Sequence, residues 1–558
     1  MPGGMIAKRD RTSESHAIAL RGRGHTSMTG TQDGLAADNV HAGGPITAEA
    51  LLRRRAHQKT DAIALVDPPN RQALTRSHPY RLTYAEADMA ADALAAIFLD
   101  LGLAPGERVV FQLPNLVEIP LALIGAWRAG LTVAAIPMLW RANEIASVCD
   151  AIQPSALIGI SEFAGDAPAD LLRDVGATRP SVRTVLSFGS SVPDGVVSLS
   201  EAILDGTMVR EPVFPPQAKE GPALITFTAR ANAPLVPLYR NEDEILAQGA
   251  MAVLSLSLDR RDVILNAYPF TGPIGLGTGL APWLIGGATL VQHDPFDYAV
   301  LAQQILTAGT TVTALPGSVL EQLAEDGVLT DRHCRLRALG RVWSVPELAR
   351  GRLPPSDHDG CAFDLYPLGD LASVLLRAED NPDRASLPCG QIQLGDDDDG
   401  TAFIETKISS DLGEVSIRGP VMPIGSSGGP AAMDADGFVS TGLHAEVRDA
   451  QFRVSQNPDL IYHGGFTIAA SELDGLYQAF PGYLDATCFA LPDPVVGDRI
   501  FAAVAPSPDT PISLDALHSF LAERSVAPYK FPEKLLIVRN IPRGVGGEIR
   551  REEILRQF

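Results

Sequence analysis

Short apolar runs alternate with longer amphipathic stretches from Thr47 onward. Residues 62–66, 108–112, 133–136 and 156–160 are brief apolar segments, which predicts buried strands. Between them, residues 47–57, 83–101, 117–129 and 141–151 read as helices, with Thr83 as the N-cap of the alanine-rich second one. The rhythm returns as strands at 263–267, 288–291 and 312–315 and a helix at 298–308. Strands alternating with helices predict βαβ units and parallel or mixed sheets, an α/β fold. Beyond Val447 the pattern is shorter and more mixed. Helices at 470–480 and 514–524 sit among strands at 486–490, 500–504 and 535–538. That change predicts a large N-terminal α/β domain over 45–447 and a small α+β lid over 448–558. Residues 1–44 are rich in Gly, Thr, Ser and His without periodicity, and predict a disordered tail.

The stretch from Ala223 to Leu254 stands apart. Residues 223–227 read as a strand. Asn241 and Glu244 predict a capping box, in which each side chain accepts from the other's backbone N–H, and a helix follows. Strand, loop and helix N-terminus is where an α/β protein holds phosphate. The expected loop, 229–237, contains no glycine and no lysine, and Pro234 and Pro237 cannot donate hydrogen bonds. The layout is that of a phosphate site and the donors are missing.

Composition narrows the partners. A chain of 558 residues with 46% hydrophobic and 20% charged residues is an ordinary globular protein of more than one core. A net charge of -22 argues against nucleic acid or an anionic membrane as principal partner. The five cysteines are scattered, which predicts buried thiols rather than disulfides or zinc ligands. No secretory signal is visible, so the cytoplasm is the expected location. The uncharged run 274–291 is interrupted by glycines and Pro282, which predicts a buried helix and strand rather than a membrane span. The acidic run 396–399 reads as a solvated turn, and His293, His358, His444 and His463 as surface or satisfied histidines.

Several motifs in order carry a family resemblance. They are Leu82-Thr-Tyr-Ala-Glu86, Gly413-Glu-Val-Ser-Ile-Arg-Gly-Pro420, Asp436-Gly-Phe-Val-Ser-Thr-Gly442, Leu491-Pro-Asp-Pro-Val-Val-Gly-Asp498, Tyr529-Lys-Phe-Pro532 and Ile541-Pro-Arg543. In this order the chain resembles the adenylate-forming superfamily of acyl-CoA synthetases, luciferases and adenylation domains, over roughly residues 45–558. The resemblance implies a C-terminal domain that rotates about a hinge, here near Asp449. It also implies a reaction in which ATP and a carboxylate give an acyl-adenylate that a thiol such as CoA attacks. ATP, Mg²⁺ and CoA are the cofactors of that reaction.

Aligned to the family, the chain departs at the charged positions. The S-G-T-T-G-x-P-K-G loop becomes Ala229-Arg-Ala-Asn-Ala-Pro-Leu-Val-Pro237, in which Arg230 reads either as a phosphate ligand or as a surface arginine. Y-G-x-T-E becomes Tyr366-Pro-Leu-Gly-Asp370: Tyr366 is expected either to stack on adenine or to pack in a groove, and Asp370 to hold Mg²⁺ if any residue does. With Thr228 these are the nucleotide-binding candidates. The ribose-gripping carboxylate is Leu443, the hinge-strand arginine is Gln456, and the adenylation lysine is Glu548. A carboxylate about 4 Å from a phosphate is opposed by roughly 4 kcal/mol at an effective dielectric near 20. Tyr268, Phe270 and Gly272 match the acyl-pocket region, and Gly464 and Gly465 the pantetheine passage. The expectation is a pseudoenzyme that binds an acyl compound or other small carboxylate, a protein partner or an active homologue. The alternative is a working ATP-dependent carboxylic acid–CoA ligase with an atypical nucleotide site.

Overall fold

The computed structural model describes residues 46–199, 203, 221–231, 233–350, 361–381, 383–393, 402–410, 413–426, 433–455, 457–493, 495–508 and 513–556. The 1–44 tail, Asn232, His358, the acidic run 396–399 and Gln456 lie outside them.

Two eight-stranded sheets form the body of the large domain. The first runs Gly425–Ser426, Ala233–Arg240, Leu224–Arg230, Thr132–Ala135, Arg108–Phe111, Ala156–Ile160, Thr184–Phe188, Val197–Leu199, and is parallel from Leu224–Arg230 outward. In the second, Ile63–Val66, Thr289–Gln292, Val263–Asn266, Val312–Pro316, Ala338–Val342 and Cys361–Leu368 are parallel. Arg81–Thr83 and Ala372–Arg377 close its two edges antiparallel. This is the predicted α/β architecture with mixed edges.

The layer between the sheets comes from the alanine-rich stretch. The Tyr84–Asp100 helix packs on the second sheet, Glu118–Arg128 packs on the first, and the two helices pack on each other. Thr83 and Glu86 form the capping box that starts the former. A Cβ on Gly125 would lie 2.8 Å from Leu94 Cβ and 3.0 Å from Ala91 O, so only glycine permits this approach. Arg128 is buried in the same layer and is paired with Asp88 and Asp92, the partners a buried guanidinium requires.

A six-stranded antiparallel sheet follows, in the order Leu387–Pro388, Gln451–Ser455, Val439–Arg448, Glu414–Arg418, Ala402–Ile408, Gly390–Gln393. The C-terminal sheet is separate: Phe466–Ala469, Leu460–His463, Gly497–Pro506 and Tyr483–Asp493, with Leu535–Ile537 added along Gly497–Pro506. It has its own core, including Ile468, Leu473, Tyr477 and Leu517. Asp449 and Ala450, at φ +48° and +62°, are the turn of the Val439–Arg448/Gln451–Ser455 hairpin. The chain therefore leaves the antiparallel sheet after Ser455, later than the expected boundary at 447/448, and Asp449 is a hairpin turn.

The uncharged run folds as Pro273–Gly275, Leu276–Leu280, Ala281–Gly286 and the strand Thr289–Gln292. Among the described residues no helix is long and apolar enough to cross a membrane. His293 and His463 are satisfied, by Gln304 at 2.7 Å and by the Asp498 carbonyl at 2.6 Å.

Candidate functional site

The stretch expected as a phosphate loop is paired strand. Leu224–Arg230 and Ala233–Arg240 form an antiparallel hairpin, with Thr226 opposite Leu238, Thr228 opposite Val236 and Arg230 opposite Ala233. The cause lies in the residue types. Without glycine the chain has no cheap access to left-handed backbone, and Leu235, Val236, Leu238 and Tyr239 suit a pleated surface. Proline is tolerated because Ala233–Arg240 is nearly an edge strand, covered on its outer side, among the described residues, only at Leu238 and Tyr239. Backbone donors committed to the ladder are not free to surround a phosphate. Beyond the hairpin the sequence reading holds: Asn241 and Glu244 form the expected capping box on the Glu242–Leu256 helix.

At the hairpin tip Arg230 faces inward. Its Nη1 and Nη2 donate to the Thr441 and Ser440 carbonyls, each at 3.0 Å. A Cβ on Gly442 would meet Nη1 at 3.0 Å, so the guanidinium lies directly against the Thr441-Gly442-Leu443 stretch. Burial lowers its pKa, with Asp370 and Tyr462 pulling the other way. Arg230 is no surface arginine: it ties the hairpin to the antiparallel sheet.

Thr228 and Asp370 do come together. Thr228 Oγ1 donates to Asp370 Oδ2 at 2.7 Å, and the Thr467 side chain of the C-terminal domain is close enough to help lower the pKa of this carboxylate. Arg240 Nη2 donates to the Asp370 and Leu371 carbonyls at 2.7 and 2.8 Å. Burial raises the Asp370 pKa, while Thr228, Arg230 and Arg240 lower it. Burial also pushes the Arg240 guanidinium down to about 10. Asp370 is the one carboxylate here that would hold Mg²⁺ together with the phosphates of a nucleotide; in this structure it accepts from the Thr228 hydroxyl, with the Arg230 and Arg240 guanidiniums nearby. Among the described residues no group of three or more His, Cys, Asp or Glu is placed to hold a metal.

Tyr366 packs in the core. Its ring lies parallel to that of Trp343, with centroids 6.1 Å apart and 7° between the planes. Arg341 covers Trp343 at 4.8 Å from the ring centroid. The Tyr366 hydroxyl donates to the Arg384 carbonyl at 2.8 Å and accepts from Asn381 at 3.1 Å. Trp343 Nε1 donates to Asp364 at 2.9 Å, and Arg384 pairs with the same carboxylate at 2.6 Å. Both rings are essentially inaccessible, Tyr366 at 0% and Trp343 at 1% exposure. Each functional atom of Tyr366 already has a partner from this chain.

The remaining candidates are dispersed. Leu443 is buried in the main core. Glu548 stands on an exposed turn closed by Gly544 N–H donating to the Glu548 carbonyl at 2.8 Å. Tyr268 is half-buried, and burial raises its phenol pKa. Phe270 is in the core, where it lies 3.1 Å from the Cβ position of Gly279 and so packs on bare backbone. Gly272 precedes Pro273–Gly275 with open space where a side chain would be. Gly464 and Gly465, at φ +58° and +85°, are the exposed turn joining Leu460–His463 to Phe466–Ala469.

Sequence reasoning did not single out Trp343 or Lys530. Lys530 is 4% exposed and bridges Glu144 at 2.9 Å and Glu472 at 2.6 Å. Burial lowers its pKa, but Glu472, Tyr529 and Glu144 raise it further, so the ammonium stays charged. Its motif was visible; its acidic partners were not, since Glu144 is 386 residues away.

Comparison with known proteins agrees with this arrangement of domains. Residues 52–422 match the family described as AMP-binding enzyme. The salicyl-AMP ligase / salicyl-S-ArCP synthetase of Mycobacterium tuberculosis is 28% identical over 535 residues, covering 92% of this chain and 91% of that protein. The 2,3-dihydroxybenzoate-AMP ligase of Bacillus subtilis is 26% identical, covering 89% and 91%. Among solved structures, the amide bond synthetase of Marinactinospora thermotolerans superposes with a TM-score of 0.72 at 17% identity, covering 92% of this chain and 100% of that one. The o-succinylbenzoate CoA synthetase of Bacillus subtilis gives 0.70 at 17% identity, covering 90% and 97%, so both share the fold. With two large sheets, a separate C-terminal domain and a family match over residues 52–422, the chain belongs to the AMP-binding enzymes, the adenylate-forming family.

Proposed function

We propose that this chain is a non-adenylating member of the family, which keeps the scaffold to bind an acyl or other small carboxylate compound or a protein partner. The observation that carries this reading is the Trp343–Tyr366 pair. In the family resemblance Tyr366 offers its face to adenine; here that tyrosine lies against an indole from its own chain, and both are buried. Arg230 against Gly442, Leu443 in the core and Glu548 in place of the lysine act in the same direction. A buried aromatic pair yields its place only to a ligand that replaces its packing, so adenine would have to displace the Trp343 indole to reach the Tyr366 face. The five cysteines are free thiols, which supports a reducing compartment such as the cytoplasm.

A second reading is ATP-dependent ligation of a carboxylic acid. It is favoured by the relatives, named as salicyl-AMP and 2,3-dihydroxybenzoate-AMP ligases, whose likeness spans about nine-tenths of this chain. For it to hold, Tyr366 must leave Trp343, and Asp370 must leave Thr228.

Melting curves separate the two. A ligand specific to the folded state adds about 2.7 kcal/mol at a hundredfold excess over its Kd, a shift of a few degrees. The expected result is no shift with Mg-ATP and an upward shift with an aryl or acyl acid or acyl-CoA. An ATP-induced shift, together with carboxylate-dependent ATP–pyrophosphate exchange, establishes the second reading instead.

A further inference from the structure

A cavity of about 510 Å³ opens at the edge of the second sheet where its parallel strands begin. Its wall comes from Ser255, Leu256 and Ser257 at the end of the Glu242–Leu256 helix, from Arg337 and Cys361 where two parallel strands start, and from Arg377 at the end of Ala372–Arg377. Cys361 and Tyr366 are five residues apart on one strand, roughly 16 Å at 3.3 Å per residue, so the cavity is separate from the Trp343–Tyr366 pair. Both guanidiniums are held by carbonyls at the helix end. Arg337 Nη1 donates to the Leu256 carbonyl at 2.8 Å, and Arg377 Nε and Nη2 donate to the Ser255 carbonyl at 3.1 and 2.5 Å. Their charges are matched very differently. Arg337 makes a bidentate pair with Asp262, at 2.7 and 2.6 Å, and that carboxylate is 5% exposed. Among the described residues Arg377 has one carboxylate partner, Glu379, at 3.6 Å and 74% exposed. A pair that wet is worth little.

We propose that this cavity binds a small molecule with a carboxylate or phosphate head, which takes the place of Glu379 on Arg377. The guanidinium is pre-positioned: Nε and Nη2 are fixed on the Ser255 carbonyl, and Nη1 meets Glu379, which also lines the cavity. A planar fork already held in place loses little freedom on pairing, and carboxylate and phosphate match its spacing. Carbonyls at a helix end repel anions, but those of Ser255 and Leu256 are each covered by a guanidinium. Leu256, Ala362 and Ala378 give the rest of the molecule an apolar wall, and the volume is that of a small-molecule site. The Arg377 charge is felt inside the cavity. Burial raises the Cys361 thiol pKa, and Arg377 is the largest charge acting against that rise, with Glu379 acting for it. The site shares no residue with the nucleotide or acyl candidates, so the inference stands whether or not the chain adenylates.

Cys361 makes the test direct, because it lines the cavity and is half-buried. Alkylation of each cysteine of the full chain by N-ethylmaleimide is followed by peptide mass spectrometry, with ionic strength held constant by chloride. Phenyl phosphate and benzoate are the probes, which share a ring and differ in the anionic head; benzamide is the neutral control. At a few times its Kd an anion should slow Cys361 at least about threefold, by one plus the ratio of its concentration to Kd. Cys334, also half-buried, should be unaffected, and benzamide should have no effect. Protection should vanish in Arg377→Gln and deepen in Glu379→Gln, which removes the competing carboxylate. Cys149 and Cys488, buried in separate cores, stay unreactive while a variant is folded. If Arg377→Gln exposes them, Glu379→Gln decides alone, since Glu379 is a surface side chain. Protection by one probe alone assigns the head group. The proposal is overturned if neither probe protects Cys361, or if benzamide protects it equally. Protection that persists in a folded Arg377→Gln, or that fails to deepen in Glu379→Gln, overturns it as well.

Discussion

Trp343 and Tyr366 lie parallel within 7° at the core of the large domain, tied at their edges to Asp364 and to the Arg384 carbonyl respectively. The pairing joins the end of one parallel strand, Ala338–Val342, to the next, Cys361–Leu368. Two strand ends that could frame an open slot are instead closed by their own side chains.

Trp343→Ala should therefore cost about 3–5 kcal/mol, because a large buried ring is deleted and its void is lined by Tyr366 and Arg341. Indole at millimolar concentration should restore part of the melting temperature by refilling that void. Loss of less than about 1 kcal/mol, or no response to indole, would show that the ring contributes little packing.

Asp370→Ala should lower stability by about 1–3 kcal/mol, since the buried Thr228 hydroxyl loses its acceptor. Chemical denaturation measures it. The response to Mg-ATP should be the same, namely none, before and after the change. A response present in the unmodified protein and lost in the variant would assign Asp370 to a nucleotide site.

Glu548→Lys should restore no ATP–pyrophosphate exchange. The residue stands on an exposed turn, so stability should stay within about 0.5 kcal/mol. The obstacles at Arg230, Trp343 and Leu443 remain. Activity gained from this one substitution would mean that the phosphate site is intact.

Stability should fall as pH rises from about 4.5 to about 8, in part through Glu244. Burial raises its carboxyl from 4.5 to about 8, although Arg240 opposes the shift. The folded state then keeps a proton that the unfolded chain has released. The contribution is complete below the unfolded pKa and is lost as pH climbs through the folded one. One such group gives at most about 1.4 kcal/mol per pH unit. Glu242, raised to about 7 by burial, acts in the same direction. Glu244→Gln should therefore flatten the slope in urea titrations without abolishing it, and an unchanged slope would remove Glu244 from the account.

Local signals were legible where one short stretch decided the outcome. Thr83 with Glu86 and Asn241 with Glu244 announced helix starts, and alternation of strands with helices announced the parallel sheets. The 229–237 stretch misled because its position in a strand–loop–helix order outweighed its composition. Val236, Leu238 and Tyr239 already favoured a strand. Trp343 and Lys530 could not be found this way, since a single residue carries no period. Their meaning depends on Tyr366, Glu144 and Glu472, which only the fold brings near.

The paired hairpin has a consequence for the direction in which this sequence can change. Restoring glycine at Arg230 or Ala233 costs about 0.5–1 kcal/mol at each position, and at Arg230 it also breaks two hydrogen bonds to the neighbouring sheet. On the non-adenylating reading, no nucleotide contact exists at that moment to offset the loss. A lineage changing one residue at a time therefore meets a stability penalty on its first step back, and the hairpin acts as a ratchet.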